Sequence, residues 1–348
     1  MMKLEMKEGV GNRILDINFN QDFGCFSIST EKGYRIFNTY PFKDTIQNSF
    51  DHNSGIGMTT MLFRSNILAL VGGGVNPKYP PNKVIIWDDR QSKCIGELSF
   101  KADVKNIRMR RDRMVVVLEQ RIYVYSFPDL KLLDIIDTYI NPQGLCVASP
   151  NSSFVLVYPD KKKGTIRIRN YEDGVDYVID AHESAINALA ISQDGKLCAT
   201  ASNKGTLVRV FSTHSEKALG ELRRGSDKAD IQSIAFDKSS YWLACNSDKG
   251  TIHIFSLARL YGEDIENAKN KTSMFSFMKG IIPYFKSEWS LAKFRIPESR
   301  SVIAFTPTDD FYIIVITYDG KYYLAEFDPK TRGECRKLIE KQFMEHSN

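Results

Sequence analysis

Residues 191–205, ISQDGKLCATASNKG, run straight into residues 206–211, TLVRVF. An apolar run, a turn bearing Lys and Gly, and a second run ending on an aromatic are the parts of a β-hairpin. The same grammar returns in residues 236–250, FDKSSYWLACNSDKG, followed by TIHIF ending at Phe255. Working outward, it is found five more times. FNQDFGCFSIST leads through EKG to YRIF at Phe37, and MLFRSNILALVGGG precedes NKVIIW at Trp87. MRRDRMVVVLEQ precedes RIYVY at Tyr125, and a weaker copy, SPNSSFVLVYPDKKKG, precedes TIRIRNY at Tyr171. The last is FTPTDDFYIIVITYDG with KYYLAEF at Phe327. The spacing is mostly close to the roughly 40–45 residues of a four-stranded blade. Seven copies predict an all-β, seven-bladed β-propeller of WD40-like repeats, whose radial closure leaves only short edges. A β-sandwich is the alternative, but it needs no repeat of this period. No long apolar pattern of helical period interrupts the series.

The chain has 348 residues, 43% of them hydrophobic, enough for a large core. All-β folds of this length often form one unit. The expected organisation is a single propeller over residues 1–348, with a long membrane-facing loop at about 256–288 in the sixth blade. Lys and Arg exceed Asp and Glu by 47 − 42 = 5. Such an excess favours an anionic partner only where it is clustered. The cysteines are Cys25, Cys94, Cys146, Cys198, Cys245 and Cys335, with no C-x-x-C pair, so zinc and redox motifs are unsupported and reduced thiols of a cytosolic protein are expected. The start, MMKLEMKEGVGN, lacks the apolar centre of a signal peptide. No run approaches the roughly 20 apolar residues that span a bilayer, so membrane contact is expected to be peripheral.

Two stretches break the repeat. Residues 71–83, VGGGVNPKYPPNK, lack the G-x-x-x-x-G-K-[ST] pattern of a phosphate loop and read as a long turn. Residues 256–286 begin polar and end apolar, with Met274, Phe275, Phe277, Met278, Ile281, Ile282, Tyr284 and Phe285. A loop of this length is usually functional or disordered, and its apolar cluster marks a partner or membrane surface. Lys271, Lys279 and Lys286 flank it, which suits an anionic bilayer interface. The alternative is that Tyr284 and Phe285 fold back on the propeller.

Between the fifth and sixth copies stands Leu222-Arg223-Arg224-Gly225. Neighbouring side chains of an extended strand point to opposite faces, so each arginine is expected to reach a different flanking copy. The fifth copy offers His182, Thr200, Ser202, Gly205, Thr206 and Arg209. The sixth offers Ser247, Lys249, Gly250, Thr251 and His253. Hydroxyls and turn amides donate to phosphate, arginine forks onto it, and His adds charge where a bound phosphate raises its pKa. Thr251 and His253 share one face of TIHIF, which predicts a polar site outside and a core inside. Thr206 has the opposite parity to Arg209 and so is expected in the turn or a bulge rather than in the strand proper. A solvated basic pair with ordinary turn hydroxyls is the plain alternative; duplication on both sides of the arginines speaks against it.

The chain resembles the PROPPIN family of phosphoinositide-binding WD-repeat proteins. The resemblance is carried by Leu222-Arg223-Arg224-Gly225, ATASNKGTLVRVF and SDKGTIHIF. It extends to FNQD at 19–22, LALVGGG to KYPPNKVIIWDD ending at Asp89, and SEWSLAKF at 287–294. It is similar to the branch in which Leu replaces Phe before the arginines. It implies binding of phosphatidylinositol 3-phosphate and phosphatidylinositol 3,5-bisphosphate at two sites. The first would use His182, Thr200, Ser202, Gly205, Thr206, Arg209 and Arg223. The second would use Arg224, Gly225, Ser247, Thr251 and His253. Phe275, Phe277, Met278, Ile281 and Ile282 fall in the family's membrane-inserting loop. The resemblance also implies a monomer that recruits an autophagy lipid-transfer protein. Such a protein is cytoplasmic and is drawn peripherally to preautophagosomal, endosomal or lysosomal and vacuolar membranes. Thr200 departs from a common serine, and Asn246 stands in a run of usually small residues.

Other classes fare worse. No nucleophile elbow, metal-spaced His set or P-loop is present, so neither an enzyme nor a cofactor or metal is expected. Asp88-Asp89 reads as the end of a hairpin. Arg108, Arg110, Arg111 and Arg113 suggest a basic stripe, but one blade makes no nucleic-acid groove. The stronger alternative is a scaffold propeller in endosomal or organelle traffic that binds proteins only, with residues 77–89 as a candidate partner surface.

Overall fold

Each hairpin copy forms the second and third strands of an antiparallel sheet, and seven such sheets make up a β-propeller. The structure, a computed structural model, describes residues 13–51, 54–150, 153–261 and 287–344. The blades span residues 14–49, 56–99, 104–137, 147–180, 186–223, 231–295 and 301–342. No α-helix occurs among the described residues, and no helix is long and apolar enough to cross a membrane.

Burial runs from the middle of each blade outward. The second strands Cys25–Thr30, Leu197–Ser202 and Trp242–Ser247 are buried at every position, because a neighbouring blade covers each face. That two-sided burial explains the continuous apolar runs in place of strict alternation. The outer strands Lys43–Ser49 and Lys93–Ser99 are mostly exposed. In blade 4, the weakest copy, the inner strand is only Val147–Ala148, while its other three strands are complete.

Blades 1 and 7 close the ring by packing: Ile17, Phe26 and Ile28 share a core with Ile314, Ile316 and Tyr322. The Tyr322 hydroxyl donates to the Thr39 carbonyl at 2.8 Å. Two short strands cover outer edges that would otherwise be open to pairing. Glu288–Trp289 pairs parallel to Ala218–Arg223 of blade 5, and Gly333–Glu334 pairs parallel to Ala292–Arg295 of blade 6.

The glycine stretch at 72–74 leaves the strand Ile67–Gly72 and leads into a turn, with the Val75 amide donating to Glu31 Oε2 at 2.8 Å and the next element a strand. The four arginines of blade 3 form no stripe. Arg108 donates to the Cys146 carbonyl, Arg110 is buried against Ser149, Arg111 stacks on Phe63 and Arg113 pairs with Asp112. All six cysteines are free; Cys94 is exposed and Cys335 half-buried, the rest buried.

Candidate anion sites in the grooves beside blade 5

Alternation along the outer strand of blade 5 decides where the arginine pair goes. Leu222 is buried among Ile234, Leu243 and Phe255 of blade 6, so its side chain faces that blade. Arg223 leaves by the opposite face. In the register of the sheet that face carries Arg209 and Thr200, with Cys198 packed on Val155 and Val157 of blade 4. Arg224, just past the strand, returns to the blade 6 side, where its charge acts on Cys245 and His253.

The first groove lies between blades 4 and 5. His182 Nε2 is 2.8 Å from Thr200 Oγ1. Arg209 donates to the Ala181 carbonyl at 2.7 Å and pairs with Glu221 at 3.0 Å, which fixes it and offsets part of its charge. Arg223 donates from Nε to Ser287 Oγ at 3.0 Å. Thr206 sits ahead of the third strand, Leu207–Ser212, in the turn, the first of the two places its parity allowed. Its carbonyl accepts from the Arg224 amide at 2.9 Å.

The second groove lies between blades 5 and 6. Arg224 is only 8% exposed. It donates from Nε to the Gly205 carbonyl at 2.7 Å and also to the Asp227 carbonyl. Gly205, assigned by sequence to the first site, thus anchors the arginine of the second. Ser247 is buried and Thr251 half-buried. His253 is buried, which corrects the expectation of an outward polar face: both faces of its strand are covered by blades. Among the described residues, neither Arg223 nor Arg224 has a carboxylate within ion-pair distance, whereas Arg209, Arg167 and Arg169 do. A buried cation without a counter-charge is costly, and an incoming anion relieves that cost.

The comparisons with known proteins agree with this architecture. The sequence pattern of the PROPPIN family matches residues 14–344. The chain belongs to the PROPPIN family. Autophagy-related protein 18e of Arabidopsis thaliana is 36% identical over 335 residues, covering 95% of this chain and 88% of that protein. Kluyveromyces lactis Hsv2 with a complete loop 6CD superposes with a TM-score of 0.78 at 25% identity, covering 95% of this chain and 99% of the other. KlAtg21, solved as a complex with the coiled coil of AgAtg16, gives a TM-score of 0.77 at 25% identity over 95% of this chain and 99% of the other. PROPPIN propellers are non-enzymatic.

Both PROPPIN grooves are built on one turn. Gly205 donates to the Ser202 carbonyl at 2.9 Å and Gly250 to the Ser247 carbonyl at 3.2 Å. Each glycine has positive φ, +64° and +65°. A Cβ would lie 1.8 Å from the Ala229 oxygen in one and 2.4 Å from the Ile296 oxygen in the other. Gly205→Ala is therefore expected to destabilise the fold by about 2 kcal/mol or more, read as a lowered urea midpoint. An unchanged midpoint contradicts the turn geometry.

A third Lys-Gly-Thr turn, Lys163-Gly164-Thr165 in blade 4, escaped the sequence reading as a site element. The arginines beyond it are already neutralised. Arg167 holds Asp176 at 2.6 Å, and Arg169 holds Asp134 at 2.7 Å. This turn therefore differs from the other two in having no nearby arginine free of carboxylates among the described residues. Sequence reasoning also missed the roles of Ser287 and Ser290. Ser290 Oγ is 3.2 Å from His253 Nδ1. Phe275, Phe277, Met278, Ile281 and Ile282 lie outside the described residues. A cavity of about 290 Å³, lined by Ile140, Leu145, Lys163, Ile186 and Asn203 among others, holds none of the candidate site residues.

His182 and His253 are both held near pKa 4, against an ordinary 6.5. Burial is the main cause, followed by Arg209 for His182 and by Lys293, Arg224 and Arg295 for His253. Both are neutral at pH 7. As pH falls, the unfolded chain takes up protons first, so their contribution is complete above about 6.5 and is lost towards pH 4. Asp16, raised to about 6 by burial, works in the opposite direction. The informative quantity is thus a difference: the pH 7 to pH 5 change in unfolding free energy is expected to be less unfavourable in His253→Gln than in the wild type. Equal changes contradict a neutral, buried His253.

Proposed function

We propose that this PROPPIN is an effector of 3-phosphorylated phosphoinositides. It binds phosphatidylinositol 3-phosphate and phosphatidylinositol 3,5-bisphosphate through the two grooves and brings autophagy machinery to membranes during autophagosome formation. The observation that carries the reading is the division of Arg223 and Arg224 between two grooves, each with hydroxyls, a histidine (His182 half-buried, His253 buried) and a Lys-Gly-Thr turn. The first site comprises His182, Thr200, Ser202, Gly205, Thr206, Arg209 and Arg223; the second, Arg224, Gly225, Ser247, Thr251 and His253. The autophagy-related name of the Arabidopsis relative supports the cellular role.

Either groove alone holds the protein weakly. The two grooves and the apolar side chains of residues 274–285 act together through effective concentration. Replacing Phe275, Phe277, Ile281 and Ile282 with Ser is expected to weaken vesicle binding while sparing the soluble headgroup. Loss of both would indicate misfolding instead. The test of the reading itself is vesicle binding across a panel of phosphoinositides. Selective binding to the 3-phosphorylated lipids supports it; equal binding to vesicles with and without them contradicts it.

A second arm is favoured by one observation, the solved complex of KlAtg21 with a coiled coil. The remaining surface of this propeller takes protein partners, among them an autophagy lipid-transfer protein. Of the candidate stretch 77–89 only the turn at 77–82 is open to them, because Lys83–Asp88 is a strand buried from Val84 to Asp88. The monomeric chain works at the cytoplasmic face of preautophagosomal, endosomal or lysosomal and vacuolar membranes. A protein-only scaffold remains the competing reading, and the same vesicle panel separates the two.

A further inference from the structure

Trp289 is 53% exposed, whereas Trp87 and Trp242 are 8% and 7% exposed. These are the three tryptophans of the chain. Trp289 stands on the two-residue strand that pairs with the outer edge of blade 5, level with Arg223. The Arg223 guanidinium carbon lies 6.0 Å from the indole centre, and its Nε is held by Ser287. Glu288, between the two, is paired with Arg259 at 3.2 Å. One residue further, Ser290 meets His253 in the other groove. Residues 287–290 therefore lie across the outer edge of both grooves, with the indole outermost.

An indole has an apolar body and a single N–H, a combination that partitions to the headgroup layer of a bilayer. Core packing does not account for Trp289, because half of it is exposed. Its position beside an arginine that has no carboxylate partner among the described residues makes the patch both apolar and cationic, which matches an anionic lipid surface better than an apolar protein face. It is also continuous with the two grooves. We infer that Trp289 is a fixed membrane-interface anchor, entering the headgroup layer of the bilayer whose phosphates occupy the grooves. This inference rests on the phosphoinositide reading and adds a residue that the grooves themselves do not include.

The chain supplies its own probe, because Trp87 and Trp242 are buried away from any quencher. Full-length protein is mixed with phosphatidylcholine vesicles containing phosphatidylinositol 3-phosphate, with the phosphatidylcholine brominated in its acyl chains. Tryptophan emission is expected to be quenched, and the quenching to disappear in Trp289→Phe. Trp289→Ser is expected to bind the vesicles about tenfold more weakly, the scale of losing one large buried side chain. Its binding of soluble inositol 1,3-bisphosphate stays unchanged. Vesicle-bound wild type with unquenched emission overturns the anchor, as does Trp289→Ser with undiminished vesicle affinity. An equal loss for the soluble headgroup also overturns it, because Trp289 then only positions Arg223. Wild type that does not bind the vesicles at all overturns the phosphoinositide reading, and the anchor with it.

Discussion

Arg223→Thr combined with Arg224→Thr is expected to abolish binding to vesicles carrying phosphatidylinositol 3-phosphate or the 3,5-bisphosphate. The reason is the charge balance of the rim. Arg209 already shares its charge with Glu221, and both histidines are neutral in the free protein. Arg223 and Arg224 are the arginines left without carboxylates among the described residues of the two grooves. A hydrogen bond to a charged group contributes about 1.5–3 kcal/mol. Removing one from each groove also removes the gain from two-site attachment, which reaches 10²–10⁴-fold in linked systems, so a loss of about a hundredfold or more is expected. Co-sedimentation measures it, with the thermal midpoint confirming that the double variant is folded. Co-sedimentation equal to wild type sinks the lipid reading.

The single variants should behave differently from each other in place but alike in number. Arg223→Thr is expected to silence the groove between blades 4 and 5, and Arg224→Thr the groove between blades 5 and 6. Each should retain one soluble headgroup per chain with the affinity of the surviving groove. Vesicle affinity should nevertheless fall steeply in both, because it depends on the two grooves acting together. Arg224→Thr should in addition lower stability, since Arg224 is buried and ties the Gly205 turn to the end of blade 5. Calorimetric titration separates these effects. A single variant that loses both sites contradicts the division of the pair.

Much of this was legible in the residues. The hairpin copies could be read because the second and third strands of a blade are its most apolar and regular parts. Strand alternation led to the expectation that Arg223 and Arg224 part. The register of the strand puts Arg223 on the face opposite Leu222. Arg224 lies just past the strand and is placed by its own contacts, its Nε donating to the Gly205 carbonyl and its charge acting on His253. Three features were not legible, each because it depends on distant packing. Ser287 is 64 residues from Arg223 in the chain and meets it only through a parallel strand formed after a long insertion. His253 looked outward by parity, but a blade stands on each side of its strand. The carboxylates that neutralise Arg167 and Arg169 come partly from a neighbouring blade, so the third Lys-Gly-Thr turn could not be told from the other two by its own sequence.

The central claim is that one rim carries two separate phosphate grooves, each completed by its own arginine. Calorimetric titration of the full-length protein with soluble inositol 1,3-bisphosphate tests it most directly. Two headgroups per chain are predicted for the wild type, one for each single arginine variant and none for the double. A single headgroup per wild-type chain, or none, would contradict the account.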